Sequence, residues 1–291
     1  MKISNPLTFL SLLIAVLAAA YAGIGLFSTG GDGPFEFTNL HGQTVEIYGQ
    51  GIYRNDAAFR APIFRGTDAV MLFVCVPVLL LAIAWYRRGS LRGGLLLTSM
   101  LAYFLYNSAS LGFGAAYNNI LLLYIASFSL SLFALVIAFQ CIDLDDLAAR
   151  TSPKLPRVWV AAFLCLAGLS LMIWLVDIIA ALASNGVPPN LGPYSTESTY
   201  VLDLGIILPT AYLAAVLVLR RSPWGTLLAS ILITVNITIG LVVASQSIMQ
   251  ALDGILLTPG QYAAYVAPFV TLSLIAIGLI VSIQRSISDT D

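Results

Sequence analysis

Two apolar stretches, each opened by an aspartate and closed by two arginines, decide the fold class. They read DAVMLFVCVPVLLLAIAWYRR over residues 68–88 and DLGIILPTAYLAAVLVLRR over residues 203–221. The uncharged part of each is close to the length of about 20 residues that an α-helix needs to cross a bilayer. Because lipid offers no partner to an open backbone group, such a stretch has to be helical.

The composition of the whole chain is that of a multi-pass membrane protein. Of its 291 residues, 59% are hydrophobic and 9% are charged, whereas a soluble domain is typically about 25% charged. We predict an all-α polytopic membrane protein with eight transmembrane helices, the first of them an uncleaved helix rather than a signal peptide. The predicted spans cover roughly residues 6–28, 66–86, 93–115, 118–141, 158–183, 200–219, 225–250 and 262–284.

The basic residues indicate the orientation of these spans. Ten of the thirteen lysines and arginines lie before the first span, after the last, or in loops that follow even-numbered spans. The other three, Arg54, Arg60 and Arg65, lie in the first loop. Since cytoplasmic loops concentrate Lys and Arg, we expect both termini in the cytoplasm and the first loop outside the plasma membrane of a prokaryotic cell.

The first loop, residues 29–65, is the only long predicted loop. Residues 35–40 and 43–48 alternate between apolar and polar side chains, and His41 and Gly42 lie between them. This pattern predicts a small outer β-hairpin, since glycine suits a tight turn. The hairpin is too short to fold alone, so we expect it to lie over the helix bundle.

The two arginine-terminated stretches also indicate an internal duplication. Asp68, Pro77, Arg87-Arg88 and Gly93 are followed at offsets of 132 to 135 by Asp203, Pro209, Arg220-Arg221 and Gly225. A second match joins residues 124–128 to residues 265–269. We therefore predict two parallel four-helix repeats, residues 1–150 and 151–291, as in transporters that bind substrate between repeats.

Charged residues within or beside spans are candidate functional groups, because charge is costly at membrane depth. Asp177 lies inside the fifth span, where it could act as a proton carrier, a cation ligand or a general acid. A structural carboxylate is the alternative. Asp68 and Asp203 fall in predicted first helical turns, where a carboxylate favours the helix dipole, and Arg65 could pair with either.

Uncharged polar residues complete the candidate polar site between the repeats. They lie in the third and seventh predicted spans, at spacings that place several on one helix face. We select Tyr103, Asn107, Asn236, Gln246 and Gln250. Lone Ser, Thr and Tyr residues in these spans are more typical of helix packing.

Several kinds of chemistry have no motif in this sequence. There is no phosphate-binding GxxxxGK[ST] loop and no GxSxG nucleophile motif, and His41 is the one histidine. We therefore expect no metal site and no cofactor. The net charge of −1 argues against nucleic acid as a partner.

Several stretches resemble a family of bacterial multi-pass membrane proteins with no assigned activity. They are residues 51–54, 65–68, 103–107, 117–118, 127–132, 203–205 and 220–225, together with Tyr124. The resemblance covers most of the second to seventh spans. It implies a prokaryotic membrane protein and no particular substrate.

Three functions fit the sequence. The first is a permease or a small-solute binding membrane protein with its polar site between the repeats. The second is a non-catalytic subunit, sensor or assembly factor of a membrane complex, whose partner is another membrane protein. The third is an enzyme that modifies lipids in the outer leaflet, which needs two acid–base groups in one cleft. The lipid bilayer is a partner in all three.

Overall fold

The computed structural model describes residues 2–188 and 191–289 and is mostly helical. Its strands are β1 (Phe35–Thr38) and β2 (Thr44–Ile47). Its helices are α1 (Asn5–Phe27), α2 (Ala61–Arg87), α3 (Leu91–Gly114), α4 (Leu121–Cys141), α5 (Leu144–Arg150), α6 (Arg157–Ala183), α7 (Ser198–Leu219), α8 (Pro223–Leu252) and α9 (Pro259–Arg285).

Seven helices in the described part of the chain are long and apolar enough to cross a membrane: α1, α2, α4, α6, α7, α8 and α9. The prediction of several apolar membrane helices is confirmed, and the count of eight is not. The remaining long helix, α3, has 24 residues and fills the third predicted span. Its polar residues, among them Asn107 and Ser108, lower its hydropathy, and most of its side chains are buried.

The predicted β-hairpin is confirmed. β1 and β2 pair antiparallel, with Phe35 opposite Ile47 and Thr38 opposite Thr44. Gly42 has a φ of 75°, the left-handed conformation that a tight turn requires and that glycine adopts without strain. The hairpin is tied to the bundle because the Asn39 amide donates to the Gly192 carbonyl at 2.8 Å. We call this side of the bundle the hairpin end.

Three long helices contain one wide turn each, just before a proline. The turns are Met71–Cys75 in α2, Asp203–Ile207 in α7 and Tyr262–Val266 in α9, and Pro77, Pro209 and Pro268 follow each by two residues. Proline has no N–H for the carbonyl four residues earlier and clashes with it. The backbone therefore widens locally to an i to i+5 hydrogen bond, which bends the helix.

α6 is interrupted at Leu171, so its last twelve residues, Met172–Ala183, form a separate segment. Only Ala181 is buried in that segment. The loosely packed segment contains Trp174 and Asp177, and it lies beside the wide turn of α7.

The central pair of the bundle is α3 and α8, which contact each other and are flanked by the remaining long helices. α2 packs against α8, and α7 packs against α3. Glycines allow these crossings to be close. A methyl group on Gly66 of α2 would lie 2.5 Å from the Gln246 Cα of α8, and one on Gly114 of α3 would overlap the Ser198 hydroxyl of α7.

The helix starts correct two predictions about aspartates. α2 begins at Ala61, seven residues before Asp68, so Asp68 does not lie in the first turn of the helix. The Asp68 side chain is fully buried. α7 begins at Ser198, so Asp203 lies one turn inside the helix. Neither aspartate therefore caps a helix, because α2 begins five residues before its predicted span and α7 begins two residues before its predicted span.

The α2–α8 crossing can be tested with Gly66→Ala. The added methyl group meets backbone, which cannot move aside, so we expect the unfolding free energy to fall by about 1–3 kcal/mol. Gly278→Ala in α9 is the control, since a Cβ there has nothing within 4 Å. Unfolding midpoints of both purified variants in one detergent measure the difference, and equal midpoints would contradict the close approach.

Candidate functional site

Polar side chains from several helices meet at a cavity of about 320 Å³ near the hairpin end. Six of the nine predicted site residues line it: Tyr103, Asn107, Asp203, Asn236, Gln246 and Gln250. They come from α3, α7 and α8. The rest of the wall is mainly apolar, with side chains that include Phe163, Leu164, Leu232, Val235, Ile239 and Phe269. We call this space the central cavity.

Asp203 lies within α7, and its carboxylate lines the central cavity. One of its oxygens accepts from the Tyr106 hydroxyl and the other from the Trp174 indole N–H, both at 2.8 Å. The Trp174 ring packs on Tyr200, with ring centroids 5.5 Å apart. The interruption of α6 at Leu171 precedes Trp174 by three residues, in the segment from which its indole reaches Asp203.

Two glutamines of α8 present carbonyl oxygens in the same cavity. The Gln246 amide donates to the Thr67 hydroxyl at 2.9 Å, and that hydroxyl in turn donates to the Ile63 carbonyl. The Gln250 amide donates to the Phe59 carbonyl at 3.3 Å. In the described part of the chain neither glutamine carbonyl oxygen accepts a hydrogen bond, so both remain available to a ligand.

An ion pair lies in the cavity wall at the hairpin end. Arg60, just before α2, pairs with Glu197, just before α7, and its guanidinium lies over the Tyr194 ring at 4.5 Å. Burial opposes ionisation of Glu197, but the charge of Arg60 and hydrogen bonds from Arg60 and Thr199 outweigh it and lower the pKa of Glu197. Both partners of the pair are therefore charged near neutral pH.

A second cavity, of about 580 Å³, lies between the hairpin and the loops at the same end. Glu46, Tyr48, Tyr194 and Asp253 line it, as do Phe59 and Arg60. Phe59 and Arg60 also line the central cavity, so they lie on the boundary between the two spaces. We call the second space the vestibule.

Three predicted site residues lie away from the central cavity. Asp68 is buried in the first half of the chain, where it accepts from the Tyr53 hydroxyl at 2.6 Å. Arg65 pairs with Asp253 at 3.0 Å, which corrects the expected pairing with Asp68 or Asp203. Asp177 does not line the cavity, and one of its carboxylate oxygens lies 3.4 Å from the hydroxyl of Tyr200, which does.

The sequence did not single out Glu197 or Trp174 as members of the site, nor the pairing of Arg60 with Glu197. Arg60 and Glu197 carry opposite charges and each directly precedes a helix, but the sequence alone does not give these two helix starts. Their pairing depends on a contact over 137 positions, which no local pattern shows. Within residues 2–188 and 191–289 no three His, Cys, Asp or Glu side chains are grouped as metal ligands would be.

No protein-family model, curated protein or solved structure significantly matches this chain.

Asp56 lies in the first loop, next to Ala57 of the vestibule wall, and its carboxyl group is fully buried. It accepts from the Ala116 amide at 2.7 Å and from the Tyr194 hydroxyl at 2.8 Å. Burial outweighs these bonds and raises the pKa of Asp56 from 3.8 to about 6. The folded protein therefore holds this proton more tightly than the unfolded chain does.

Asp56→Asn should change how stability depends on pH. Asp56 contributes stability when it is protonated, and that contribution is lost as pH rises from about 4 to about 6, by up to about 3 kcal/mol. The unfolding free energy of wild type minus that of Asp56→Asn should fall across this interval. Asp32→Asn, at an exposed position, is the control for loss of an aspartate in the same loop. If the unfolding free energy of wild type minus that of Asp56→Asn stays constant from pH 4 to 7, the raised pKa of Asp56 is disproved.

Proposed function

We propose that this chain is a membrane protein that binds a small solute in the central cavity and moves it across the membrane as a permease. All eight long helices cross the bilayer in this proposal. The hairpin end faces outwards and both termini lie in the cytoplasm of a prokaryotic cell. The basic residues at the ends of α2, α7 and α9, and those in the connection from α4 to α6, support this orientation.

The observation that carries the proposal is the central cavity itself. It combines a mainly apolar wall with a few polar groups, the usual composition of a small-molecule site. Its wall includes residues from both predicted repeats, because Asn107 lies on α3 and Gln246 on α8. A protein whose only role is to pack against partners needs no such space.

Paired contacts support the two parallel repeats, residues 1–150 and 151–291. At an offset of 132 the wide turn and proline of α2 coincide with those of α7. The same offset converts the Gly66–Gln246 crossing into the Ser198–Gly114 crossing. The helix contacts also persist when α1, α2, α3 and α4 are exchanged for α6, α7, α8 and α9. Asp68 and Asp203, three residues out of this register, are not equivalent.

The vestibule supplies a route to the cavity. Solute entering beneath the hairpin would meet Phe59 and the Arg60–Glu197 pair before it reaches Asp203. Arg60 lines both spaces and Glu197 lines the central cavity, so their ion pair is a suitable gate, since it can break when each partner finds water or solute instead.

The subunit or sensor alternative has one observation in its favour. Phe35, Phe37 and Leu40 of the hairpin are exposed, Leu40 to 90%. A partner could cover them. The enzyme alternative is less favoured, because Asp177 and Asp203 do not share one cavity wall and Glu197 is held by Arg60.

The proposal is tested by access of reagent and by flux. In a chain with Cys75, Cys141 and Cys165 replaced by alanine, Ser247→Cys places one thiol on the cavity wall. We expect a membrane-impermeant thiol reagent added at the hairpin side to label it, and Val243→Trp, which fills the cavity, to slow labelling at least about tenfold. Leu241→Trp, on the exposed side of α8, is the matched control.

Flux separates a permease from a binding protein. Proteoliposomes would be assayed for uptake of labelled amines, amino acids and sugars, with the Val243→Trp chain as the blocked control. Uptake of any class that Val243→Trp abolishes and Leu241→Trp preserves supports the permease. Absence of labelling at position 247 in a folded, inserted chain would overturn the proposal and direct attention to membrane-protein partners.

A further inference from the structure

The wall of the central cavity carries an unbalanced negative charge. Arg60, Glu197 and Asp203 are the charged side chains that line it, as far as the chain is described. Arg60 and Glu197 neutralise each other. Asp203 is 7% exposed, and no cationic side chain among the described residues forms an ion pair with it. A carboxylate at membrane depth without a counter-charge is costly unless a ligand supplies one.

The hydrogen-bonding groups of the wall show the same imbalance. Five donors of the wall are committed to acceptors of the protein: Trp174 and Tyr106 to Asp203, Arg60 and Thr199 to Glu197, and Tyr200 to Asp177. Among the described residues, the Tyr103 hydroxyl has no partner and Asn236 forms no side-chain hydrogen bond, so each can donate as well as accept. The acceptors are not used up. A carboxylate oxygen has two lone pairs, so each Asp203 oxygen can accept another hydrogen bond.

The orientation of the two glutamines adds further acceptors. Thr67 gives its hydroxyl hydrogen to Ile63 and therefore accepts from Gln246, which fixes the Gln246 amide with its oxygen free. Gln250 donates to a backbone carbonyl, which fixes its amide in the same sense. The wall thus offers a carboxylate and two amide oxygens to a ligand that brings several N–H donors.

The rest of the wall suits an apolar body beside that donor group. Trp174 and Tyr200 present aromatic rings next to Asp203, and aromatic faces attract cations. Leu232, Val235 and Ile239 continue the wall along α8. The volume of about 320 Å³ is at the small end of ligand pockets.

We infer that the ligand is an organic ammonium: a protonated primary amine on a compact apolar or aromatic body. Asp203 is its counter-charge, and the carbonyl oxygens of Gln246 and Gln250 accept its N–H groups. The inference rests on the proposed solute-binding function and adds the class of solute.

Three probes with similar bodies and different charge test it. Binding of 2-phenylethylammonium, 2-phenylethanol and 3-phenylpropanoate to the full chain in phosphatidylcholine nanodiscs is measured by calorimetry at pH 7, with empty nanodiscs subtracted. We expect the ammonium to bind most tightly. Because a hydrogen bond to a charged group is stronger than a neutral one, Asp203→Asn should weaken ammonium binding by roughly tenfold to a hundredfold and leave the alcohol unchanged.

Two further variants keep the test sharp. Asp177→Asn removes the neighbouring aspartate that does not line the cavity, and it should bind the ammonium as wild type does. Gln246→Leu removes one free acceptor, while Thr67 keeps its hydrogen bond to Ile63. This variant should weaken binding of the ammonium probe, and it provides a test even if Asp203→Asn fails to fold.

The outcomes separate this inference from the function on which it rests. If Ser247→Cys is labelled but the ammonium binds no better than the alcohol, the ammonium assignment is wrong and the solute cavity stands. Tighter binding of the carboxylate probe would also overturn the assignment. If Ser247→Cys is not labelled, the cavity proposal fails first, and this inference fails with it.

Discussion

The architecture depends on how closely helix backbones approach each other at the hairpin end. In lipid, helices gain nothing by burying apolar side chains from one another, so packing depends on small residues that let backbones touch. Gly66 lies against the backbone of Gln246, and Gly114 lies against the small side chain of Ser198. They fasten α2 to α8 and α7 to α3, and thereby hold the starts of α2 and α7, with Arg60 and Glu197, on opposite sides of one space.

Wide turns before prolines give these helices the bends that the space requires. A straight α7 would continue the line of its first turn, whereas the widened segment Asp203–Ile207 shifts the helix beside the loosened segment Met172–Ala183. Trp174 can then reach Asp203. The irregular backbone and the site therefore have a common origin in Pro209 and in the interruption at Leu171.

The sequence predicted the apolar helices and the hairpin, because hydropathy and alternation are local properties. Six of the polar residues selected from the sequence line the central cavity. It placed the start of α2 five residues too late and the start of α7 two residues too late, since Arg65, Ser198 and Thr199 are too polar to be recognised as membrane helix. That error led to the wrong interpretation of Asp68 as a cap. The pairing of Arg60 with Glu197 was missed because it exists only once distant helices have packed.

The two halves share their helix contacts but differ in their interiors. In the first half, Tyr53 of the loop after the hairpin donates a hydrogen bond to Asp68. Tyr21 packs edge-on against Tyr124, with ring centroids 5.6 Å apart. Tyr265, which aligns with Tyr124 at an offset of 141, instead faces the central cavity. Aromatic side chains therefore fill the interior of the first half, whereas the second half borders an open cavity. A filled half resists deformation, so in the proposed permease it would be the rigid support against which the second half, with its loosened α6, opens and closes around a ligand.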